Sequence, residues 1–211
     1  LFTQLYGLYL FLSYLSMKEG LEMSVMTNEN LPLWKVATKM IINPGEVVKF
    51  QMAKVPWPFS LMISGLAFSL FFLQTALDMY RVGKIDETLL IVITILGFIY
   101  GTVGITLLAI LVWALSQGGE EKYSIKWAIS TFALGYSATL IYSVIGLIFS
   151  LTLGWKTAVA FGVTGLLWAL RPTIMTIRQM SGGKVPFSIA VSTLCGAILL
   201  LGWSLLSFFA E

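Results

Sequence analysis

Residues 89–116 read LLIVITILGFIYGTVGITLLAILVWALS, 28 positions without a lysine, arginine, aspartate or glutamate. A helix rises about 1.5 Å per residue and the hydrocarbon core of a bilayer is about 30 Å thick, so about 20 apolar residues cross it. The stretch is long enough to cross, to tilt or to extend beyond the bilayer. Four more runs share its character, at 58–77, 127–153, 155–170 and 186–210. The run 155–170 is short by itself and continues into 171–180. Lys156, at one end, is the only charge within the five. A charge at mid-bilayer costs about 2.5–3.5 kcal/mol on insertion scales, so this exclusion is what lipid-facing helices require. It also removes the usual residues of an ion or proton pathway. The expected fold is all-α, a polytopic five-transmembrane-helix bundle.

Composition agrees. Of 211 residues, 58% are hydrophobic and 11% charged, where a soluble domain carries about 25% charged residues. The mean hydropathy is +0.90. The net charge is +3, but the basic residues form no arginine-rich run and sit beside apolar spans. Anionic inner-leaflet lipids are therefore the expected partner, not nucleic acid, at about 1 kcal/mol per basic residue near the surface. Cys195 is the only cysteine and histidine is absent. An intrachain disulfide is thereby excluded, and the commonest general base and metal ligand are missing. No enzymatic activity, cofactor or metal is expected.

The basic residues also orient the spans. Lys18, Lys35, Lys39, Lys49 and Lys54 precede the first run. Lys122 and Lys126 join the second and third, and Arg171, Arg178 and Lys184 join the fourth and fifth. Arg81, Lys84 and Lys156 fall on the opposite side. This ten-to-three division places the segment before the spans in the cytoplasm and Glu211 outside. Trp57, Trp113, Trp127, Trp155, Trp168 and Trp203 stand at or near span ends, as an interfacial aromatic belt requires.

Three regions result: an apolar helix at 1–17, a cytoplasmic linker with amphipathic helices at 18–56, and the membrane domain at 57–211. Three readings stay open for 1–17, namely an extra span, an interfacial helix or a partner-binding helix. No basic n-region or small-residue cleavage site marks a signal peptide there, and residues upstream of Leu1 are expected. Residues 21–30 read as a polar linker. Residues 33–42 are amphipathic, with Leu33, Trp34, Ala37, Met40 and Ile41 on one face and Lys35 and Lys39 pointing away. That pattern suits a helix on the inner leaflet. Asn43-Pro44-Gly45-Glu46 reads as a helix start: an Asn cap, Pro in the first turn, and Glu three residues on to close a capping box. This helix is expected to run to about Lys54.

Small residues recur four apart within the spans: Gly97 and Gly101; Ala158 and Gly162; Ser188, Ser192 and Gly196. They let backbones approach, either within the bundle or across an oligomer face. Arg171 and Arg178, seven apart, share a helix face that ends at Ser181-Gly182-Gly183. With Lys35, Lys39 and Lys184 they are candidate contacts for lipid phosphate or an acidic partner, set against plain topological charge and snorkelling. Gln74, Ser137, Tyr142 and Thr164 are polar positions inside spans. Only their convergence would make them a substrate pathway. Glu120 and Glu121 stand beside Lys122 and Lys126, either to pair with them or simply solvated in their loop, and Asp78, Asp86 and Glu87 are too scattered for a metal site.

Ile42-Asn43-Pro44-Gly45-Glu46, the amphipathic helix ending at Trp57-Pro58, and five closely spaced spans with an external C-terminus resemble the Yip (Ypt-interacting protein) family. The likeness is to its bacterial members, in which a short Asn-Pro-x-Glu segment precedes the first span, and it covers about 42–210. Gly135-Tyr136 in the third run is similar to an aromatic–small element of the family. The longer signature of its eukaryotic Golgi members is missing, which favours a bacterial cell membrane over Rab trafficking. The resemblance implies an adaptor, in some bacterial members an accessory of ABC-type export systems, and it carries no catalytic residues. The expected function is thus a non-enzymatic adaptor or assembly protein that binds another integral membrane protein or itself. The alternative is a small transporter or lipid-handling protein with a headgroup-sized cavity open to one leaflet.

Overall fold

Hydrocarbon offers no water to backbone N–H and C=O groups, so each apolar run must satisfy them within a helix. The computed structural model describes residues 31–116 and 122–209. Among these it has five helices long and apolar enough to cross a membrane: Trp57–Arg81, Glu87–Leu115, Ile125–Leu153, Ala158–Met180 and Val185–Leu205. The described residues hold no strand, and the chain is an all-α polytopic membrane protein. The expected helix at 1–17, the linker 21–30, Lys18 and the Glu120–Glu121 pair lie outside the described residues.

The connections are short and chemically marked. Gly83 adopts φ 73° after the first span. The Lys84 N–H returns to the Met79 carbonyl at 3.0 Å, closing the helix as a left-handed glycine allows. The Asp86 carboxylate accepts from the Leu89 N–H at 2.8 Å and caps the second span. The Ser124 hydroxyl accepts from the Trp127 N–H at 3.2 Å and caps the third. Gly154 ends the third span at φ 68°. Gly182 and Gly183, both at positive φ, turn the fourth into the fifth.

Three spans are not uniform α-helices. The second passes through a π-turn at Tyr100–Gly104, and the fourth begins with one at Ala158–Val163. The third breaks at Gly135–Tyr136, between Ile125–Leu134 and Ser137–Leu153. Pro172, inside the fourth span, lies across from that break. A proline ring removes one helical hydrogen bond and bends its helix.

The first span is the hub and packs against the second, third and fourth. A Cβ on Gly97 would meet Phe68 and Phe72 within 2.8 Å. One on Gly101 would strike the Ser64 carbonyl and the Gly65 Cα. The first and third spans bury 56% of their apolar windows but the fifth only 22%, which leaves its outer face to lipid.

In 33–54 the structure adds a buried face that the sequence reading does not assign, and it corrects one expectation. The face of helix Leu33–Ile42 turned inward is that of Val36 and Met40, whereas Trp34 is 64% exposed. The stripe continues through Pro44, Val47, Val48, Met52 and Val55, so the period set by the whole segment prevails over the single largest side chain. The capping box does not form. Asn43 makes no side-chain cap; its amide donates instead to the Glu46 carboxylate at 3.1 Å. Pro44 has no N–H to be capped, and Glu46 is drawn away by other donors described below.

Close approach at Gly101 yields a paired test. Gly101→Ala is expected to destabilise the bundle by about 1–3 kcal/mol, the usual overpacking cost. Gly104→Ala should be neutral or stabilising, because its Cβ would meet only the Tyr100 ring at 3.7 Å. Thermal midpoints in one detergent compare the two.

Candidate functional site

The entry segment 33–54 is built as a docked unit. Its buried stripe packs on helices Ser137–Leu153 and Thr164–Met180. Glu46 ties its turns together. Its Oε1 accepts from Lys39 Nζ at 3.1 Å and from Gln51 Nε2 at 3.3 Å, while its Oε2 accepts from Asn43. Where the segment enters the first span, the Ser60 and Ser130 hydroxyls meet at 2.9 Å and Ser130 reaches the Val55 carbonyl at 3.4 Å.

A cavity of about 580 Å³ opens beside this unit, lined by Val48, Lys49, Phe50, Ala53, Lys122, Tyr123, Ser124, Trp127 and Gln179. Its polar wall is fixed. Gln179 Nε2 donates to the Tyr123 hydroxyl at 2.8 Å, and Trp113 Nε1 donates to the Tyr123 carbonyl at 2.7 Å. The Tyr123 and Trp127 rings lie 4.3 Å apart.

None of the cationic candidates named from sequence lines this cavity. Lys39 is paired with Glu46. Lys35 lies over its neighbour Trp34 at 5.7 Å. Arg171, Arg178 and Lys184 are exposed, and the ion pairs among the described residues do not include them. Lys49, counted in the sequence only as topological charge, and Lys122, weighed there also as a partner of Glu120 and Glu121, line the cavity together. Their shared cavity has no local sequence signal, because its walls come from three separate stretches.

The small-residue positions face inward. Ser188 and Ser192 are fully buried, and Ser192 bonds the Leu170 carbonyl at 3.3 Å. Ala158 is buried. Gly162 receives the Phe71 ring and Gly196 meets Leu170.

The polar positions inside the spans do not converge. Gln74 is completely buried. Its amide donates to the Ser143 carbonyl at 2.8 Å and the Leu70 carbonyl at 3.3 Å, and its Oε1 accepts from Thr157 at 3.1 Å. Ser137 bonds the Leu134 carbonyl at the break in the third span. Tyr142 stacks on Trp168, and Thr164 bonds the Ala160 carbonyl. The acids are dispersed as well: Asp86 caps a helix, Glu87 accepts from the Tyr80 hydroxyl, and Asp78 faces Arg81 at 3.7 Å. Among the described residues no three acidic or cysteine side chains gather as a metal would need.

No family model, curated protein or solved structure matches the chain.

Gln74→Leu should expose how much of the interior rests on this amide. It leaves the Thr157 hydroxyl and the Ser143 carbonyl without their partner and is expected to cost about 1–3 kcal/mol, the penalty for unsatisfied buried groups. In a double-mutant cycle with Thr157→Val the losses should be non-additive; strict additivity would show that the two residues do not interact.

Proposed function

We propose that the chain is a non-enzymatic adaptor or assembly protein of a bacterial cell membrane, which holds a second integral membrane protein against its spans and entry segment. The observation that carries this reading is the docked entry segment. It is fixed to the third and fourth spans, and it presents Trp34 and Lys35 outward. A preorganised face of this kind lowers the ordering cost of binding. The interior supports a scaffold rather than a conduit, since Gln74, Ser143, Thr139 and Ser192 give their hydrogen bonds to backbone carbonyls of neighbouring helices. The likeness of 42–46 and of the span pattern to the Yip family supports the same reading, and it directs attention to ABC-type export systems as partners.

We assign the entry segment to the cytoplasm and the C-terminus to the outside, on the ten-to-three division of basic residues. Two measurements bear on the proposal. A photo-crosslinking residue at Trp34 or Leu194, both exposed, should give one discrete adduct with a membrane protein in native membranes. Neighbouring genes for an ATP-binding cassette pair would supply the first candidates to identify in that adduct. Purification as a lone monomer in mild detergent, with adducts to lipid only, would sink the adaptor. Separately, a membrane-impermeant maleimide should label Lys84→Cys in intact cells and Lys35→Cys only after permeabilisation. The reverse pattern would invert the topology.

A further inference from the structure

The cavity beside the entry segment is bounded by stretches at three span ends. Residues 48–53 come just before the first span at Trp57, residues 122–124 just before the third at Ile125, and Gln179 next to the last residue of the fourth at Met180. All three are boundaries between apolar span and polar connection. The cavity therefore lies at the depth of the headgroup layer, whichever leaflet that end of the bundle faces. The exposed rings of Trp57 and Phe50 at this end suit the same layer.

Its chemistry is that of an anion site with an apolar flank. Lys49, in the helical turn Val47–Gln51, and Lys122, in the connection before Ile125, are both exposed; no aspartate or glutamate among the described residues lines the cavity, and Glu120 and Glu121 lie outside them. The ten-residue helix Ile125–Leu134 points its N-terminus here, through Ser124 in the wall, and its dipole adds to the field of the lysines. The Tyr123–Gln179 pair and Ser124 supply neutral polar groups. Val48, Phe50, Ala53 and Trp127 supply apolar surface. A volume of about 580 Å³ falls within the range of small-molecule sites and exceeds what a bare phosphate fills.

We propose that this cavity binds the phosphate of an anionic membrane lipid. Lys49 and Lys122 act as its charge partners, and Trp127 and Phe50 lie against the glycerol and the first acyl carbons. A phosphate ester is the chemistry recognised, and the interfacial position assigns it to a lipid rather than to a soluble compound. The inference stands apart from the adaptor reading and holds if that reading fails.

The full chain in nanodiscs, with phosphatidylglycerol titrated into phosphatidylcholine and retained lipid counted by native mass spectrometry, tests it. Wild type should retain one phosphatidylglycerol in preference to phosphatidylcholine. Lys49→Gln and Lys122→Gln should each weaken retention about fivefold, and together about thirtyfold, as loss of one surface lysine–lipid attraction apiece implies. Ala53→Phe, which narrows the cavity without changing charge, should weaken it as well. Lys35→Gln and Lys184→Gln, which remove the same charge elsewhere, should leave it within twofold. If Lys35→Gln with Lys184→Gln weakens retention as much as Lys49→Gln with Lys122→Gln, the attraction is diffuse and the site is overturned. The site is equally overturned if neither pair has an effect while circular dichroism shows intact helices. Binding of glycerol 3-phosphate to the protein in lipid-free micelles, as tight as that of phosphatidylglycerol in nanodiscs, would overturn the lipid assignment.

Discussion

The structure depends on how closely other backbones approach the helix Trp57–Arg81. In hydrocarbon, leucine gains nothing by leaving lipid for protein, so helices associate by dispersion contacts and by hydrogen bonds that lipid cannot replace. Both require backbones near one another. Ser64 and Gly65 on the first span sit against Gly101, and Gly97 lies on Phe68 and Phe72. The Phe71 ring occupies the space over Gly162, and Gly146 sits under the Gln74 amide. Glycine at these points is a steric requirement: a methyl group would have to displace backbone or a packed ring.

The polar interior follows from that proximity. Helices packed so tightly leave hydroxyl and amide groups within reach of a neighbour's carbonyl oxygens. Thr139 reaches Gly165, Ser143 reaches Ala67, and Tyr100 reaches Leu199 at 3.1 Å. Trp203 donates from its indole to Thr75 at 2.9 Å and stacks on Phe71, which pins the otherwise exposed fifth span to the hub. Arg81 closes the far end by donating twice to Ser150. Each bond joins different spans, so the polar groups order the bundle instead of opening it.

How much of this the sequence discloses depends on whether a property is local. The spans are legible because excluding charge from about 20 successive residues is a local pattern with a large energetic consequence. The end of the fourth span beyond Arg171 is legible for the same reason, since the Ser181-Gly182-Gly183 stop is local. The inward face of 33–42, that of Val36 and Met40, is not legible in sequence, because burial is decided by what packs opposite. The capping box does not form because the pattern of residues 43–46 contains no record of Lys39 and Gln51 folding back onto Glu46. The tryptophan belt is mixed in the same way. Trp57, Trp155 and Trp168 are exposed, while Trp113, Trp127 and Trp203 pack against the core. Position near a span end fixes depth and leaves rotation about the helix axis open. The cavity is not legible at all, because residues 48–53, 122–127 and 179 meet only after the spans have packed.

The basic residues at this end of the bundle therefore divide by environment rather than by charge. Lys39 is compensated by Glu46 within its own segment and stabilises the entry turn. Arg171, Arg178 and Lys184 are exposed, outside the ion pairs of the described residues and away from the cavity lining. Lys49 and Lys122 differ in facing a shared concavity whose other walls are fixed by their own hydrogen bonds. Two like charges held beside one cavity repel, and a helix N-terminus next to them raises the local potential further. Lys49, Lys122 and that helix N-terminus each contribute positive potential where spans meet their connections. An anion in that place relieves the repulsion, and in the headgroup layer the lipid phosphate is the anion present at the highest local concentration.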